Sequence, residues 1–316
     1  RGLTIYRSGH AMSDQLTKAK TTFNAHAKTF SLAARFLPQQ RYDAVARLYA
    51  FCRELDDLAD AEPAGINHET LLSIRQDICA GTSLNTDVSD MLELQHQFEI
   101  PTTLLLDFID ALIDDQYPRQ LKDIDELVRF AYGVASTVGL MMCHIFGVND
   151  KRALPFAVDL GVAMQMSNIA RDILEDAQRG RIYVPADLLP SPVTCQGLLA
   201  GDEDHRHSAY KGALRLLNIA GEYYTSATMG YGYLPRSVRH AIKVAARLYQ
   251  AIGEKIVANP DSYWQQRTVV AREHKCRLIA DLFLQRLRDG SSTLLIGKVE
   301  HPDYLHQALD QRRFTA

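Results

Sequence analysis

Two segments of the sequence place a pair of aspartates four residues apart at the end of an apolar helical pattern. Asp56 and Asp60 follow the apolar stretch 48–52, and Asp172 and Asp176 follow the apolar stretch 157–166. Side chains four residues apart on an α-helix lie within about 40° of each other, so each pair shares one helix face. A solvated surface helix could carry one such stripe, but two on such apolar helices indicate faces that line a cavity. The pattern therefore favours helices that surround a cavity whose entrance is lined by polar side chains.

Carboxylates gathered in a cavity need a counter-charge, because buried anions are costly and otherwise take up protons. Oxygen ligands suit a hard divalent cation such as Mg²⁺, with Mn²⁺ as an alternative, and substrate phosphate oxygens commonly complete its coordination. The sequence contains no close Cys/His cluster, which argues against zinc. Other polar side chains fall on the same two faces by helical spacing: Tyr49 and Arg53 on the first, and Gln165 and Asn168 on the second.

The fold class predicted from the hydrophobic periodicity is all-α. Apolar residues recur at spacings of three and four residues, and Pro and Gly lie at the ends of these segments. The predicted helices cover about 15–34, 38–61, 67–80, 87–98, 101–116, 123–148, 150–177, 204–230, 235–258 and 267–289. Residues 1–14 are predicted to be irregular, 15–290 to form one domain and 291–316 to be a C-terminal tail. The long irregular stretch 178–204 after the second aspartate pair is predicted to be a lid or binding loop, with a passive connection as the alternative.

Composition excludes several classes of protein. A formal net charge of -3 gives no general attraction to nucleic acid. The five cysteines are scattered and odd in number, which favours reduced thiols in a cytoplasmic protein. Residues 1–20 lack a secretory signal pattern, and no run of 18 consecutive apolar residues is present. We therefore expect a cytoplasmic protein without a membrane span.

Several motifs in family order carry a specific resemblance. They are HAKTFS at 26–31, YAFCRELDDLAD at 49–60, YGVASTVG at 132–139, QMSNIARDILED at 165–176, RGRIYVP at 179–185 and AARLY at 245–249. With these motifs the chain resembles the trans-isoprenyl diphosphate synthases of the squalene and phytoene synthase family. Within that family it looks most like the bacterial phytoene synthases.

The resemblance implies an isoprenoid synthase fold, a single helical bundle around a deep central cavity whose mouth carries both aspartate motifs. It also implies that five side chains hold Mg²⁺: Asp56, Asp60, Asn168, Asp172 and Asp176. Tyr49 and Arg53 join the four aspartates as the implied catalytic residues. The implied substrate-binding residues are His26, Lys28, Phe30, Arg53, Gln165, Asn168, Arg171, Arg181, Tyr183, Tyr249, Arg267 and Lys275. Small residues at 133, 135, 136 and 139 either widen the cavity or permit close helix packing.

The activity implied by the resemblance is head-to-head condensation of two geranylgeranyl diphosphate molecules through prephytoene diphosphate to phytoene, a step of carotenoid biosynthesis, without a requirement for NADPH. One alternative is a farnesyl diphosphate enzyme that yields presqualene diphosphate, squalene or dehydrosqualene. A non-catalytic assembly factor and a terpene cyclase are further alternatives. An apolar product implies transient contact with a membrane surface. Substrate chain length, the product's double-bond geometry and oligomeric state are left open by the sequence.

Overall fold

The computed structural model describes residues 2–288 and 300–309, which form fourteen α-helices and two short β-strands. The helices are Gly2–His26 (α1), Phe30–Ala34 (α2), Gln39–Ala59 (α3), His68–Ala80 (α4), Thr86–Phe98 (α5), Thr102–Asp114 (α6), Ile124–Ala131 (α7), Thr137–Phe146 (α8), Leu154–Arg171 (α9), Ile173–Gln178 (α10), Cys195–Ala200 (α11), Glu203–Gly230 (α12), Arg236–Ala258 (α13) and Arg272–Arg288 (α14). The strands are Arg119–Gln120 (β1) and Arg181–Ile182 (β2). The all-α prediction is thus confirmed.

Local chemistry sets many of the helix ends. Pro38, Pro101 and Pro235 stand directly before α3, α6 and α13, respectively. At these positions the missing backbone N–H of proline costs no helical hydrogen bond. The Asn85 side chain caps α5 by accepting from two backbone N–H groups, and Asp202 caps α12 in the same way. These signals are local, so the sequence located most helices to within a few residues.

Several boundary predictions differ from the structure, among them the helix predicted over 15–34, which is interrupted at residues 27–29 between α1 and α2. Residues 2–14, predicted to be irregular, belong to α1, which no proline interrupts between Gly2 and His26. The helix predicted over 150–177 breaks at Asp172, whose φ of -107° and ψ of 19° leave the helical region. The predicted tail 291–316 is described only at 300–309, and there it packs on the bundle with Leu305 and His306 buried. Residues 289–299 and 310–316 lie outside the described part of the chain.

Helix α9 lies in the centre of the bundle and packs against α8, α12 and α13. Its apolar residues Phe156, Val158, Val162 and Met166 are almost completely buried. The continuous helical run Ile124–Phe146, made of α7, a π-helical turn and α8, is the one described segment long and apolar enough to cross a membrane. It packs against α6 and α9, and 61% of its most apolar stretch is buried in the protein. Packing inside the bundle accounts for its apolar character.

The π-helical turn Tyr132–Ser136 brings two helices unusually close to each other. A Cβ atom on Gly161 of α9 would lie 2.6 Å from the Ser136 Cα, so only glycine fits at this contact. The Ser136 hydroxyl donates to the Val158 carbonyl at 2.8 Å and fixes the same contact. On the opposite side of the turn, a Cβ atom on Gly133 would lie 2.5 Å from the Ala111 Cβ. Gly133 and Ser136 therefore serve helix packing.

The stretch 178–204 is built into the protein and does not form an open lid. Strand β2 pairs in parallel with β1, with Arg119 opposite Arg181. Gly180 precedes β2 with a φ of +73°, a conformation that L side chains rarely adopt. Residues 181–185 are buried, and α11 interrupts the second half of the stretch. This arrangement directs the Arg181 and Tyr183 side chains into the central cavity.

Candidate active site

The first aspartate pair lies on the polar face of α3. The opposite face of this helix buries Leu48, Phe51 and Leu55 in the core. Asp56 and Asp60 are therefore turned toward the central cavity, as are Tyr49 and Arg53 from the preceding turns. Burial, and then repulsion from Asp60, raises the pKa of Asp56 to about 6. This face thus carries more negative charge than its own cations neutralise.

The second pair lies where α9 ends and α10 begins. Although the helix breaks at Asp172, the Asp176 N–H still donates to the Asp172 carbonyl at 2.8 Å, so the two side chains keep their helical spacing. Gln165 and Asn168 line the cavity on the same side, and the Asn168 amide lies 3.4 Å from the Gln165 amide oxygen. Burial, together with repulsion from Asp172, raises the pKa of Asp176 well above its ordinary value. The break moves no predicted ligand out of the cavity.

A single cavity of about 1000 Å³ brings the two helix faces together. It is lined by every residue that the sequence predicted for the site: His26, Lys28, Phe30, Tyr49, Arg53, Asp56, Asp60, Gln165, Asn168, Arg171, Asp172, Asp176, Arg181, Tyr183, Tyr249, Arg267 and Lys275. Their placement agrees with the predicted site, and their individual roles stay predictions.

Arginine side chains bind aspartates of both pairs. Arg171 and Arg267 both bind Asp172, with Arg267 donating two hydrogen bonds of 2.8 Å to the two carboxylate oxygens. Burial opposes ionisation of Asp172, yet these hydrogen bonds keep its pKa below the ordinary value. Arg181 reaches across the cavity to Asp60 at 2.5 Å. The second aspartate pair is therefore linked to the chain beyond α13, and the first to strand β2.

Tertiary packing holds Arg267 at this position. The segment after α13 is fastened to α9 by Tyr263, whose buried hydroxyl donates to the Ala170 carbonyl at 2.5 Å. Val270 is buried a few residues later. Arg267 itself is half exposed and stands at the cavity rim beside Asp172 and Glu175.

Three cations gather on one wall of the cavity. Burial lowers the pKa of Lys275, and repulsion from Lys28 and Arg171 lowers it further. The Lys275 ammonium donates to the Thr29 hydroxyl at 2.9 Å, which places it beside the predicted Lys28 motif. Cations that repel one another in a partly buried site favour binding of an anion. This wall can therefore bind a phosphate group.

Asp115 is a cavity residue that the sequence reasoning missed. It follows the end of α6, accepts a hydrogen bond of 2.5 Å from the Tyr183 hydroxyl and lies 3.7 Å from Arg181. Burial raises its pKa to about 6, although Tyr183 and Arg181 oppose that shift. An acidic residue directly after the strongly apolar α6 was the available signal. Asp115 fixes the Tyr183 side chain, which also stacks on Phe130 with ring centroids 4.7 Å apart.

The remaining predicted aromatic residues stand between the polar mouth and the apolar interior. Phe30 and Tyr49 both contact the buried Phe23 ring. Burial raises the pKa of Tyr49 to about 12 and also raises the pKa of Tyr249. Both phenols thus stay neutral near pH 7, where they add polarisable faces without adding charge.

The cavity deepens along α8 and α9 into an almost wholly apolar interior. It is lined there by Val138, Met142, Phe146, Phe156, Leu160, Met164, Tyr231 and Leu234. Gly139 and Ala135 also line it, so these two small residues do widen the cavity, unlike Gly133 and Ser136. The lining extends along α9 from Asn168 back to Phe156, a span of about 18 Å at 1.5 Å per residue.

The donor atoms at the mouth fit a hard divalent cation. Carboxylate and amide oxygens face the same space, where burial, and then repulsion between the carboxylates, raises the pKa values of Asp56 and Asp176. Next to them lies a cationic wall that fits a phosphate, and below both lies an apolar channel. The site is thus suited to a ligand with an anionic head and a long apolar tail.

Comparison with known proteins agrees with this geometry. The family model described as squalene/phytoene synthase matches residues 23–274. The 15-cis-phytoene synthase of Paracoccus sp. is 31% identical over 280 residues, which cover 85% of this chain and 90% of the relative. The 15-cis-phytoene synthase of Enterobacter agglomerans is 32% identical over 266 residues, covering 80% and 90% of the two chains.

Solved structures show the same fold. A dehydrosqualene synthase crystal structure superposes with a TM-score of 0.74 at 22% identity, covering 88% of this chain and 98% of that one. The squalene synthase HpnC from Alicyclobacillus acidocaldarius superposes with a TM-score of 0.66 at 22% identity. This superposition covers 78% of this chain and 95% of that one. The chain therefore belongs to the squalene/phytoene synthase family of prenyltransferase enzymes, and it has the all-α isoprenoid synthase fold.

Proposed function

We propose that the protein joins two geranylgeranyl diphosphate molecules head to head, through prephytoene diphosphate, to form phytoene in carotenoid biosynthesis. The observation that carries the proposal is the convergence of both aspartate pairs and the Lys28, Arg171 and Lys275 wall at the mouth of one apolar cavity. The phytoene synthases that match 80–85% of the chain support the choice of substrate and product.

The residues of the mouth would bind the diphosphate and help it leave. Mg²⁺ held by Asp56, Asp60, Asn168, Asp172 and Asp176 would take up the negative charge that develops on the departing diphosphate. The guanidinium groups of Arg171 and Arg267 can chelate phosphate oxygens with their planar forks once they are released from Asp172. Lys28 and Lys275 add point charges to the same wall.

The deeper cavity would hold the isoprenoid chains and protect the carbocation. Apolar side chains exclude water, which would otherwise trap the cation as an alcohol. The Tyr49 and Tyr249 rings lie at the transition to the polar mouth, where a π-face can stabilise positive charge. Because both phenols stay neutral, neither supplies an anionic nucleophile.

A second candidate function is condensation of farnesyl diphosphate to presqualene diphosphate, squalene or dehydrosqualene. It is the second candidate because the solved structures that share the fold include a dehydrosqualene synthase and a squalene synthase. The two candidates differ in how much of the channel beside Gly139 and Leu160 the substrate fills. We likewise propose a cytoplasmic location, with transient contact to a membrane surface because the hydrocarbon products are apolar.

The test is a product assay with each substrate. Purified protein is incubated with Mg²⁺ and either geranylgeranyl or farnesyl diphosphate, with and without NADPH, and the phosphatase-treated extract is identified by mass spectrometry. We expect phytoene from geranylgeranyl diphosphate without NADPH and no product after Mg²⁺ is chelated. A 30-carbon product would support the second candidate, and no product from either substrate would support a non-catalytic family member.

A matched pair of variants links the product to the site. Asp172→Asn changes a cavity carboxylate, whereas Asp187→Asn changes an exposed one outside the cavity. We expect product formation to fail in the first variant and to persist in the second. Equal activity in both would contradict the role assigned to the aspartate pairs.

A further inference from the structure

A second cluster of ligand-type side chains lies far from the cavity mouth. Asp159 of α9 is completely buried, and its two carboxylate oxygens each contact one imidazole. The His301 Nε2 atom lies 2.9 Å from one oxygen, and the His306 Nε2 atom lies 2.7 Å from the other. Both imidazoles are nearly buried, with side chains 9% and 4% exposed. Three potential ligands thus meet inside the protein.

The cluster has the ligand types and the short ligand-to-ligand distances of a metal site. One ligand atom from each residue lies within 4.8 Å of the others, and the two imidazole rings have centroids 4.2 Å apart. Two histidines separated by four residues fall within the spacing common in zinc sites, and two imidazoles with one carboxylate are a known zinc ligand set. Imidazole also selects zinc over Mg²⁺, which prefers oxygen ligands.

A further polar atom, the Ser226 hydroxyl, lies beside the cluster. Ser226 is buried at 1% exposure. Burial opposes ionisation of Asp159, but hydrogen bonds from the two imidazoles, with a smaller contribution from the neighbouring Ser226 hydroxyl, keep its pKa below the ordinary value. A buried carboxylate flanked by two imidazoles and a hydroxyl offers the donor atoms that a cation needs.

The cluster is distinct from the aspartate motifs. Asp159 lies thirteen residues before Asp172, about 20 Å along the helix axis at 1.5 Å per residue. It fastens the segment 300–309 to the bundle, assisted by the Tyr223 hydroxyl, which donates to the Leu305 carbonyl at 2.8 Å. The His301 ring also packs edge-on against Phe156, which lines the deep end of the cavity.

We propose that Asp159, His301 and His306 form a structural Zn²⁺ site that ties the segment 300–309 to α9 near the deep end of the cavity. The Ser226 hydroxyl or a solvent molecule would provide the fourth ligand of a tetrahedral ion. Both imidazoles must present a bare Nε2 atom to the ion, so each ring must carry its remaining proton on Nδ1 once the ion has replaced the contacts with Asp159. The proposal does not depend on which prenyl diphosphate the enzyme uses.

The test is metal binding by the full-length protein without a histidine tag. Chelator-treated protein is titrated with Zn²⁺, and separately with Co²⁺, in the presence of excess Mg²⁺ that fills the oxygen sites. We expect one tightly bound Zn²⁺ per chain, a visible absorption band of tetrahedral Co²⁺, and a zinc-dependent rise in Tm. Failure of the folded wild-type protein to show these signals would overturn the proposal in favour of a metal-free hydrogen-bonded cluster.

Two variants distinguish this site from the cavity mouth. His306→Gln keeps an amide donor for Asp159, so the fold can persist while the imidazole ligand is lost. We expect at least a tenfold loss of Zn²⁺ affinity and loss of the Co²⁺ band in this variant, with unchanged circular dichroism. Asp172→Asn should retain both signals. Unchanged Zn²⁺ binding in His306→Gln, or its loss in Asp172→Asn, would place the ion elsewhere and refute the assignment.

Discussion

Replacing Gly161 with alanine tests the close approach of α9 to the π-helical turn that shapes the cavity wall. The added Cβ would lie 2.6 Å from the Ser136 Cα and 2.8 Å from its backbone nitrogen. Backbone atoms cannot rotate away as a flexible side chain can, so the two helices must separate. Overpacking of this kind costs about 1–3 kcal/mol. Because the clash is with backbone atoms, we expect a cost in the upper part of this range, about 2–3 kcal/mol. Alanine has a higher helix propensity than glycine by about 1 kcal/mol, so the net loss of stability should be about 1–2 kcal/mol.

Gly221→Ala is the matched control, because Gly221 also lies inside a helix but has no atom within 4 Å of the added Cβ. This variant should gain about 1 kcal/mol from propensity alone. The two variants should therefore differ by about 2–3 kcal/mol in the free energy of unfolding. Urea unfolding followed by circular dichroism measures the difference. Equal stabilisation of both variants would refute the tight contact at Ser136.

Three further predictions concern the cavity. Asp172→Asn should reduce Mg²⁺-dependent turnover at least about 100-fold without changing helical content; unfolding of the variant on circular dichroism would instead make the residue structural. Tyr183→Phe removes the hydrogen bond to Asp115, which favours the ionised carboxyl, so the Asp115 pKa should rise above about 6. An NMR titration of the Asp115 carboxyl carbon measures it, and an unchanged or lower pKa would contradict the contact. Gly139→Val narrows the channel near the Ala157 carbonyl, 3.3 Å from the Cβ position. It should lower kcat/KM for the 20-carbon substrate about tenfold more than for the 15-carbon one, and an unchanged ratio would contradict its role in accommodating the chain.

The predicted site residues share one cavity, and part of this agreement was predictable because helical periodicity is a local property. Spacing alone put Asp56 with Asp60, and Asp172 with Asp176, on shared faces, and the family motifs added the basic and aromatic residues. The small residues of the π-helical turn and of α8 were less predictable. Gly139 lines the cavity while Gly133 packs on Ala111, and the sequence contains nothing that separates these two uses.

Contacts between distant segments were beyond the reach of the sequence. Nothing in the spacing indicates that Arg181 binds Asp60, or that the Tyr183 hydroxyl binds Asp115, which the sequence reasoning omitted. Cys and His residues do not cluster along the sequence, which argued against zinc. In the fold, however, Asp159 meets His301 and His306 across separations of 142 and 147 residues.

The sequence by itself determined the helices, their polar faces and the oxygen-rich character of the cavity mouth. These features follow from side chains at most a few turns apart, whose relative positions the helix geometry fixes. The tertiary structure decided which faces meet, which arginine neutralises which aspartate, and how deep the apolar channel extends. Such pairings depend on how separate helices pack together, because burial against a partner, and not local spacing, sets the environment and charge of each group.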